Sequence, residues 1–102
     1  MKKLYVIVNK DIPCSLPAVQ AGHVVAEFCL KNINAKEWNN SYLIYLEVHN
    51  ESQLKYWRFK FHKRNIDITS FREPDINNTV TAFCALLDEN EAGFLSKLNL
   101  LT

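Results

Sequence analysis

Leu4-Tyr5-Val6-Ile7-Val8 is an unbroken apolar run that leaves no face of a strand suited to water. Such a strand must be covered on both sides, which happens when helices pack on both faces of a sheet. The segment Asn9 to Leu16, with Pro13, is a polar loop, and Pro17 opens a helix with Ser15 or Leu16 as its N-cap. Proline is tolerated there because its missing N–H would have had no partner in the first turn. At 100° per residue, Ala18, Val19, Gly22, Val25, Ala26, Cys29 and Leu30 form a broad apolar face expected to meet the sheet. Gln20, His23, Glu27 and Lys31 form a narrow polar stripe expected to face water.

Asn32 to Asn40 is a connection holding a helical turn around Ala35-Lys36-Glu37-Trp38, and Tyr42 to Val48, rich in Tyr, Ile and Val, is a second strand. Asn50 and Gln53 form a capping-box-like start for a helix over Glu51 to Arg64, with Leu54, Trp57 and Phe61 toward the core. Ile66 to Phe71 is a third strand, Arg72 to Asn78 a polar loop, and Thr79 to Leu87 a fourth strand. That last strand would place Val80, Ala82, Cys84 and Leu86 on one face and Phe83, Ala85 and Leu87 on the other. Asp88 and Glu91 cap a closing helix carrying Phe94, Leu95 and Leu98. The order β-α-β-α-β-β-α predicts an α/β fold, a mixed four-stranded sheet covered by helices.

Composition agrees. With 48% hydrophobic residues, 2 Gly and 3 Pro, the chain is neither disordered nor low-complexity. A chain of 102 residues is expected to form a single domain over 1–102. Area scaling at this size buries roughly 65% of the unfolded surface, enough for a core without staples. Cys14, Cys29 and Cys84 show no C-x-x-C and read as thiols in a reducing compartment, the last two inert. No apolar run approaches the ~18 residues of a membrane span. Lys2-Lys3 ahead of Leu4 to Val8 resembles a signal-peptide start, but Asn9, Lys10 and Asp11 cut the run short. The expectation is a soluble, cytoplasmic protein without a membrane partner.

Four groups of residues carry candidate chemistry. Gln20, His23 and Glu27 lie within ~40° to 60° of one another on their helix. They sit near a helix N-terminus, where free N–H groups favour an anion and a histidine titrating near neutrality can act as base or donor. The plain alternative is a solvated stripe. The second helix is lopsided: residues 51–64 hold five basic residues against one acid, net +4, while the rest of the chain holds seven against ten, net −3. Lys55, Arg58 and His62 share a stripe flanked by Tyr56 and Phe59, which suits phosphate contacts and base stacking, or equally a solvated face. Glu73 and Asp75 flank Pro74 and could orient a water, or be turn chemistry. A Cys14–His23 nucleophile pair lacks a third group. The scattered His and Cys residues show no metal-ligand spacing, and no G-x-G-x-x-G or Walker loop indicates a nucleotide cofactor.

The run Ala18-Val19-Gln20-Ala21-Gly22-His23, following a strand and a short polar loop, resembles the G-K-x-A-A-Q-x-A-H-A signature of type 2 peptidyl-tRNA hydrolases. Thr79-Val80-Thr81-Ala82-Phe83 is similar to the threonine-led final strand that follows the acidic loop of that family. Element order and length also agree, so the resemblance spans nearly the whole chain. It implies a mixed four-stranded sheet with helices on both faces. The implied activity is hydrolysis of the ester between a peptide or acyl group and the 3′ end of tRNA, with no metal or organic cofactor. Gln20, His23 and Thr81 match family positions. Leu16 stands where the family has lysine, Ser15 where it has glycine, and the long D-A-G-x-T-x-I-x-P-G loop is reduced to Glu73-Pro74-Asp75.

On that resemblance His23 is the base or water-orienting group, supported by Gln20, with Glu73 or Asp75 positioning His23 or the water. Thr81 holds substrate or acid. Lys10 and the helix N-terminus would stabilise negative charge in place of the lysine, and Lys55, Arg58, Lys60 and Lys63 would touch tRNA phosphates. A homodimer is compatible with this reading. The rival expectations are an RNA-binding module without hydrolysis, for which the leucine at position 16 speaks, and a protein-interaction domain.

Overall fold

A computed structural model of the protein describes residues 1–13 and 15–102. Its elements are strand β1 (Lys2–Asn9), helix α1 (Pro17–Lys31), the single turn α2 (Ala35–Trp38), strand β2 (Tyr42–Val48) and helix α3 (Glu51–Lys63). Strands β3 (Thr69–Glu73), β4 (Thr79–Asp88) and β5 (Asn99–Leu100) follow. The strands make one mixed sheet in the order β3-β4-β1-β2-β5. β1 runs parallel to β2 and antiparallel to β4. The central position of β1 accounts for its continuous apolar run. Leu4, Val6 and Val8 pack with Ala21, Val24, Phe28 and Trp38 on the α1 side, while Tyr5 and Ile7 pack with Leu54, Trp57 and Phe61 on the α3 side. Helices therefore cover both faces.

Several local signals act as read. Asn50 caps α3, its side chain accepting from the Gln53 N–H at 2.9 Å while Gln53 returns a bond to the His49 N–H at 2.8 Å. The Trp38 indole is buried and donates to the Tyr42 carbonyl at 2.8 Å, which ties α2 to the start of β2. Phe61 meets Phe83 and Phe94 edge-on at 5.1 and 5.0 Å, geometry favoured by the ring quadrupole.

The sheet has five strands rather than four. The expected closing helix is a 3-10 segment, Glu89–Leu95, with the Asp88/Glu91 capping box in place. The chain then extends into β5, which pairs antiparallel with β2. β3 lies further along than expected and includes Arg72 and Glu73, leaving only a short 3-10 turn, Pro74–Ile76, before Asn77.

The largest correction concerns α1. Its buried residues are Gln20, Ala21, Val24 and Phe28. Of the residues expected to face the core, Gly22, Ala26 and Cys29 are exposed, Val19 is 47% exposed and Leu30 82%. The helix is turned so that part of its polar stripe meets β3 and β4. The reason is that Gln20 finds both its hydrogen-bond partners there, so its burial costs little.

A second correction concerns β4. Phe71 pairs with Ala82 but Arg72 pairs with Val80, so Thr81 is an extra residue, a β-bulge. Val80 therefore packs on the α3 side, not with Ala82 and Cys84, which remain on the α1 side.

Candidate functional site

The bulge directs Thr81 toward α1, where it meets a residue 61 positions away. Its hydroxyl makes a short 2.5 Å hydrogen bond to Gln20 Oε1, and Gln20 Nε2 donates to Glu73 Oε1 at 2.8 Å. Gln20 and Thr81 are almost fully buried, and Glu73 is 9% exposed. The other Glu73 oxygen accepts from the Asp75 N–H at 3.4 Å, which starts the 3-10 turn. The polarity of this relay is set by the carboxylate. Because Glu73 accepts, Gln20 must turn its NH2 toward it and its carbonyl toward Thr81. Thr81 must then donate to Gln20, and no side chain among the described residues donates to its oxygen in return.

Thr81 forms part of the wall of a cleft of about 510 Å³ at the carboxyl ends of β1 and β2. Asn9, Asp11, the capped start of α3 (Asn50, Glu51 and Ser52), Asn77 and Thr79 are its other polar walls. In α/β sheets this end of the parallel strands is the usual place for a ligand.

His23 lies one turn beyond Gln20 on α1, stacked on Phe71 of β3 with ring centroids 4.6 Å apart. It is exposed, forms no ion pair or hydrogen bond among the described residues, and does not line the cleft. The structure thus joins Gln20, Glu73 and Thr81 directly and places His23 beside them. No carboxylate of Glu73 or Asp75 is paired with His23, and the Asp75 side chain is exposed.

Lys10 departs from its expected role. Its ammonium lies 2.8 Å from Glu47 Oε2, and Glu47 also accepts from the Thr102 N–H at 3.2 Å. The Lys10 ion pair, helped by the Thr102 bond, holds the Glu47 carboxyl below the ordinary carboxylate range. Leu16 is the N-cap of α1, 71% exposed, and makes no side-chain cap.

The basic residues of α3 do not share one surface. Lys55 and Arg58 line a cavity against the β3–β4 hairpin. Lys60, roughly 160° around the helix from Arg58, lies over the Trp57 ring at 4.4 Å, and Lys63 lies over Phe59 at 5.8 Å. Sequence reasoning missed Arg72, which the period of two in β3 places on the side opposite Phe71 and Glu73; the alternation was legible only once the strand was extended past Phe71.

Among the described residues no group of His, Cys, Asp or Glu is arranged to hold a metal ion. Cys84 is buried and its thiol is pushed up to about 12 by desolvation, so it is inert as a nucleophile. Cys29 is exposed, against expectation. Cys14, and with it the suggested Cys14–His23 pair, lies outside the described residues. No described helix is long and apolar enough to cross a membrane.

No protein-family model and no curated protein matches the chain. Among solved structures it is similar to a protein of unknown function from Agrobacterium tumefaciens, at 15% identity with a TM-score of 0.65, covering 99% of this chain and 98% of that one. At that identity the likeness concerns the fold alone.

Proposed function

We propose that the protein hydrolyses the ester joining a peptide or acyl group to the 3′ end of tRNA. The observation that carries this reading is the buried Thr81–Gln20–Glu73 relay, whose Thr81 end walls the cleft and whose Gln20 lies one turn before His23 on α1. Its three side chains include two that match the peptidyl-tRNA hydrolase resemblance, and Glu73, which ends β3, is an acid of the Glu73-Pro74-Asp75 segment that stands in place of the family's acidic loop. Thr81, with its hydrogen committed to Gln20, accepts a hydrogen bond from the attacking water or from the terminal ribose. His23 takes the proton as the water oxygen bonds to the ester carbonyl carbon. The carbon–oxygen bond to the ribose then breaks, and the ribose oxygen leaves as a hydroxyl with the proton that His23 gives back. No cofactor enters this scheme.

A second reading, RNA binding without turnover, is favoured by one feature. Lys10 is occupied by Glu47 and Leu16 is apolar, so neither supplies a cation at the mouth of α1. An absent donor to the developing oxyanion costs ~2.7–4 kcal/mol of transition-state stabilisation. Release of labelled peptide from purified peptidyl-tRNA separates the two. Turnover above background that is lost in His23→Ala and reduced in Thr81→Val supports the hydrolase. A gel shift of the tRNA without release selects the binding module.

A further inference from the structure

Arg58 on α3 and Arg72 on β3 line one cavity of about 250 Å³, with Lys55, Glu51, Asn78 and Thr79 among its other walls. Three cations stand against one acid, and the Glu51 carboxylate is spent at 3.5 Å on Lys55. Neither arginine forms an ion pair among the described residues. Arg72 donates to the Asn78 carbonyl at 3.3 Å, and Arg58 Nε is buried with no hydrogen-bond partner among the described residues. Burial and the neighbouring Arg72 both lower the pKa of the Arg58 guanidinium. Two cations held together without a counter-charge, one with an orphaned N–H, are uphill in the protein alone and complementary to a bound oxyanion. Structural arginines of a solvated face are instead free to spread apart.

The cavity also has a definite relation to the relay. Arg72 follows Phe71 and precedes Glu73, so it points through the opposite face of the same strand. Asn77 and Thr79 line both this cavity and the cleft that Thr81 walls, so the two adjoin. We propose that the Arg58–Arg72 cavity is a phosphate-binding site, and that its natural ligand is a backbone phosphodiester of an RNA strand whose end lies in the neighbouring cleft. The phosphate chemistry stands on the arginine pair; its assignment to an RNA strand rests on the proposed hydrolase reading.

The test is titration of the full chain, with arginine side chains observed through their Nε–H resonances by NMR. The probes are inorganic phosphate and the dinucleotide CpA, each against chloride at equal ionic strength. Saturable shifts of the Arg58 and Arg72 signals are expected with phosphate-bearing probes and not with chloride. Arg72→Gln, at an exposed position, and Arg58→Gln should each weaken binding about tenfold or more, the loss of one charged hydrogen-bond partner. Arg72→Gln should also raise the melting temperature without anion, because a like-charge contact is relieved. Binding of CpA that depends on both arginines supports the strand assignment. Binding of inorganic phosphate alone overturns that assignment and keeps an anion site. Absence of shifts with both probes, or binding unchanged in both variants, overturns the site. Peptide release is scored separately, so a protein that binds CpA here but never hydrolyses refutes only the hydrolase reading.

Discussion

His23 and Phe71 lie face to face, their ring centroids 4.6 Å apart and their planes 8° from parallel. The stack fixes an exposed imidazole on the flank of α1 while leaving its nitrogens unpaired among the described residues. A ring held only by a neighbour's face is a group whose position can be altered without touching its chemistry. Phe71→Leu should cost ~1 kcal/mol, about the worth of an aromatic pair, and should remove the ring-current shift of the His23 proton resonances. Peptide release, if His23 is the base, should fall more than stability does. Unchanged His23 resonances in the variant would show that Phe71 does not hold the ring.

The relay behaves as a unit because Gln20 bonds to both partners. Gln20→Leu leaves the Glu73 carboxylate with only the Asp75 N–H and should cost ~2–3 kcal/mol, in the range for hydrogen bonds to charged groups. Thr81→Val should cost ~1 kcal/mol. The double variant should lose less than the sum, since Thr81 has no Gln20 carbonyl left to satisfy. Additive denaturant midpoints would refute the coupling.

Position 16 offers a gain-of-function experiment. Because Leu16 is exposed, Leu16→Lys should fold with stability within ~0.5 kcal/mol of the parent. A cation there, added to the N-terminal field of α1, should raise peptide release by as much as ~10²-fold. His23→Ala should abolish release in either background. A well-folded Leu16→Lys with no faster release would mean that another group stabilises the oxyanion, and Lys10, paired with Glu47, is poorly placed to be that group.

Glu47 makes acid stability predictable in sign. Its folded pKa is depressed, by Lys10 first and by Thr102 next, so its stabilisation is complete above the ordinary carboxylate value of about 4 and is lost as pH falls through the lower folded value. Glu47→Gln should therefore lower the melting temperature at neutral pH and flatten its decline in acid. Thermal melts across the acid range check this, and parallel acid limbs in both proteins would contradict it.

The orientation of α1 can be tested by paired substitutions. Val19→Lys and Leu30→Lys, on the outward face, should each change stability by no more than ~0.5 kcal/mol. Val24→Ala and Phe28→Ala, on the buried face, should cost ~2–5 kcal/mol. Chemical denaturation of the four variants measures the contrast.

Much of the fold was written locally. The apolar run of β1, the proline opening α1, the Asn50 cap and the Leu54/Trp57/Phe61 spacing each act through neighbours a few residues away. What escaped depends on distant partners. Seven apolar positions on α1 outweighed the buried set because Gln20 counts as polar, and nothing nearby reveals that Glu73 and Thr81, 53 and 61 residues on, satisfy it. Gln20 and His23 stand out in the sequence as one stripe of a helix, Thr81 joins them only through the family resemblance, and the split of the basic helix into a cavity-facing pair and an outer pair depends on packing. The closing segment was misread as an α-helix because its capping box and apolar spacing serve a 3-10 segment equally well.

The extra residue in β4 gives the hairpin an odd count, and that parity is what a protein engineer would have to respect. Deleting Thr81 would remove more than a hydroxyl: Val80 would keep its place on the α3 side and precede Ala82 in regular alternation, the bulge would vanish, and β4 would offer Gln20 no side chain at that point. Any exchange of the β3–β4 turn for one of different length is tolerated only if residues 71, 73 and 81 keep the same side. The hairpin can therefore change its tip freely, as the compact turn after Glu73 already illustrates, but not its count through the strands.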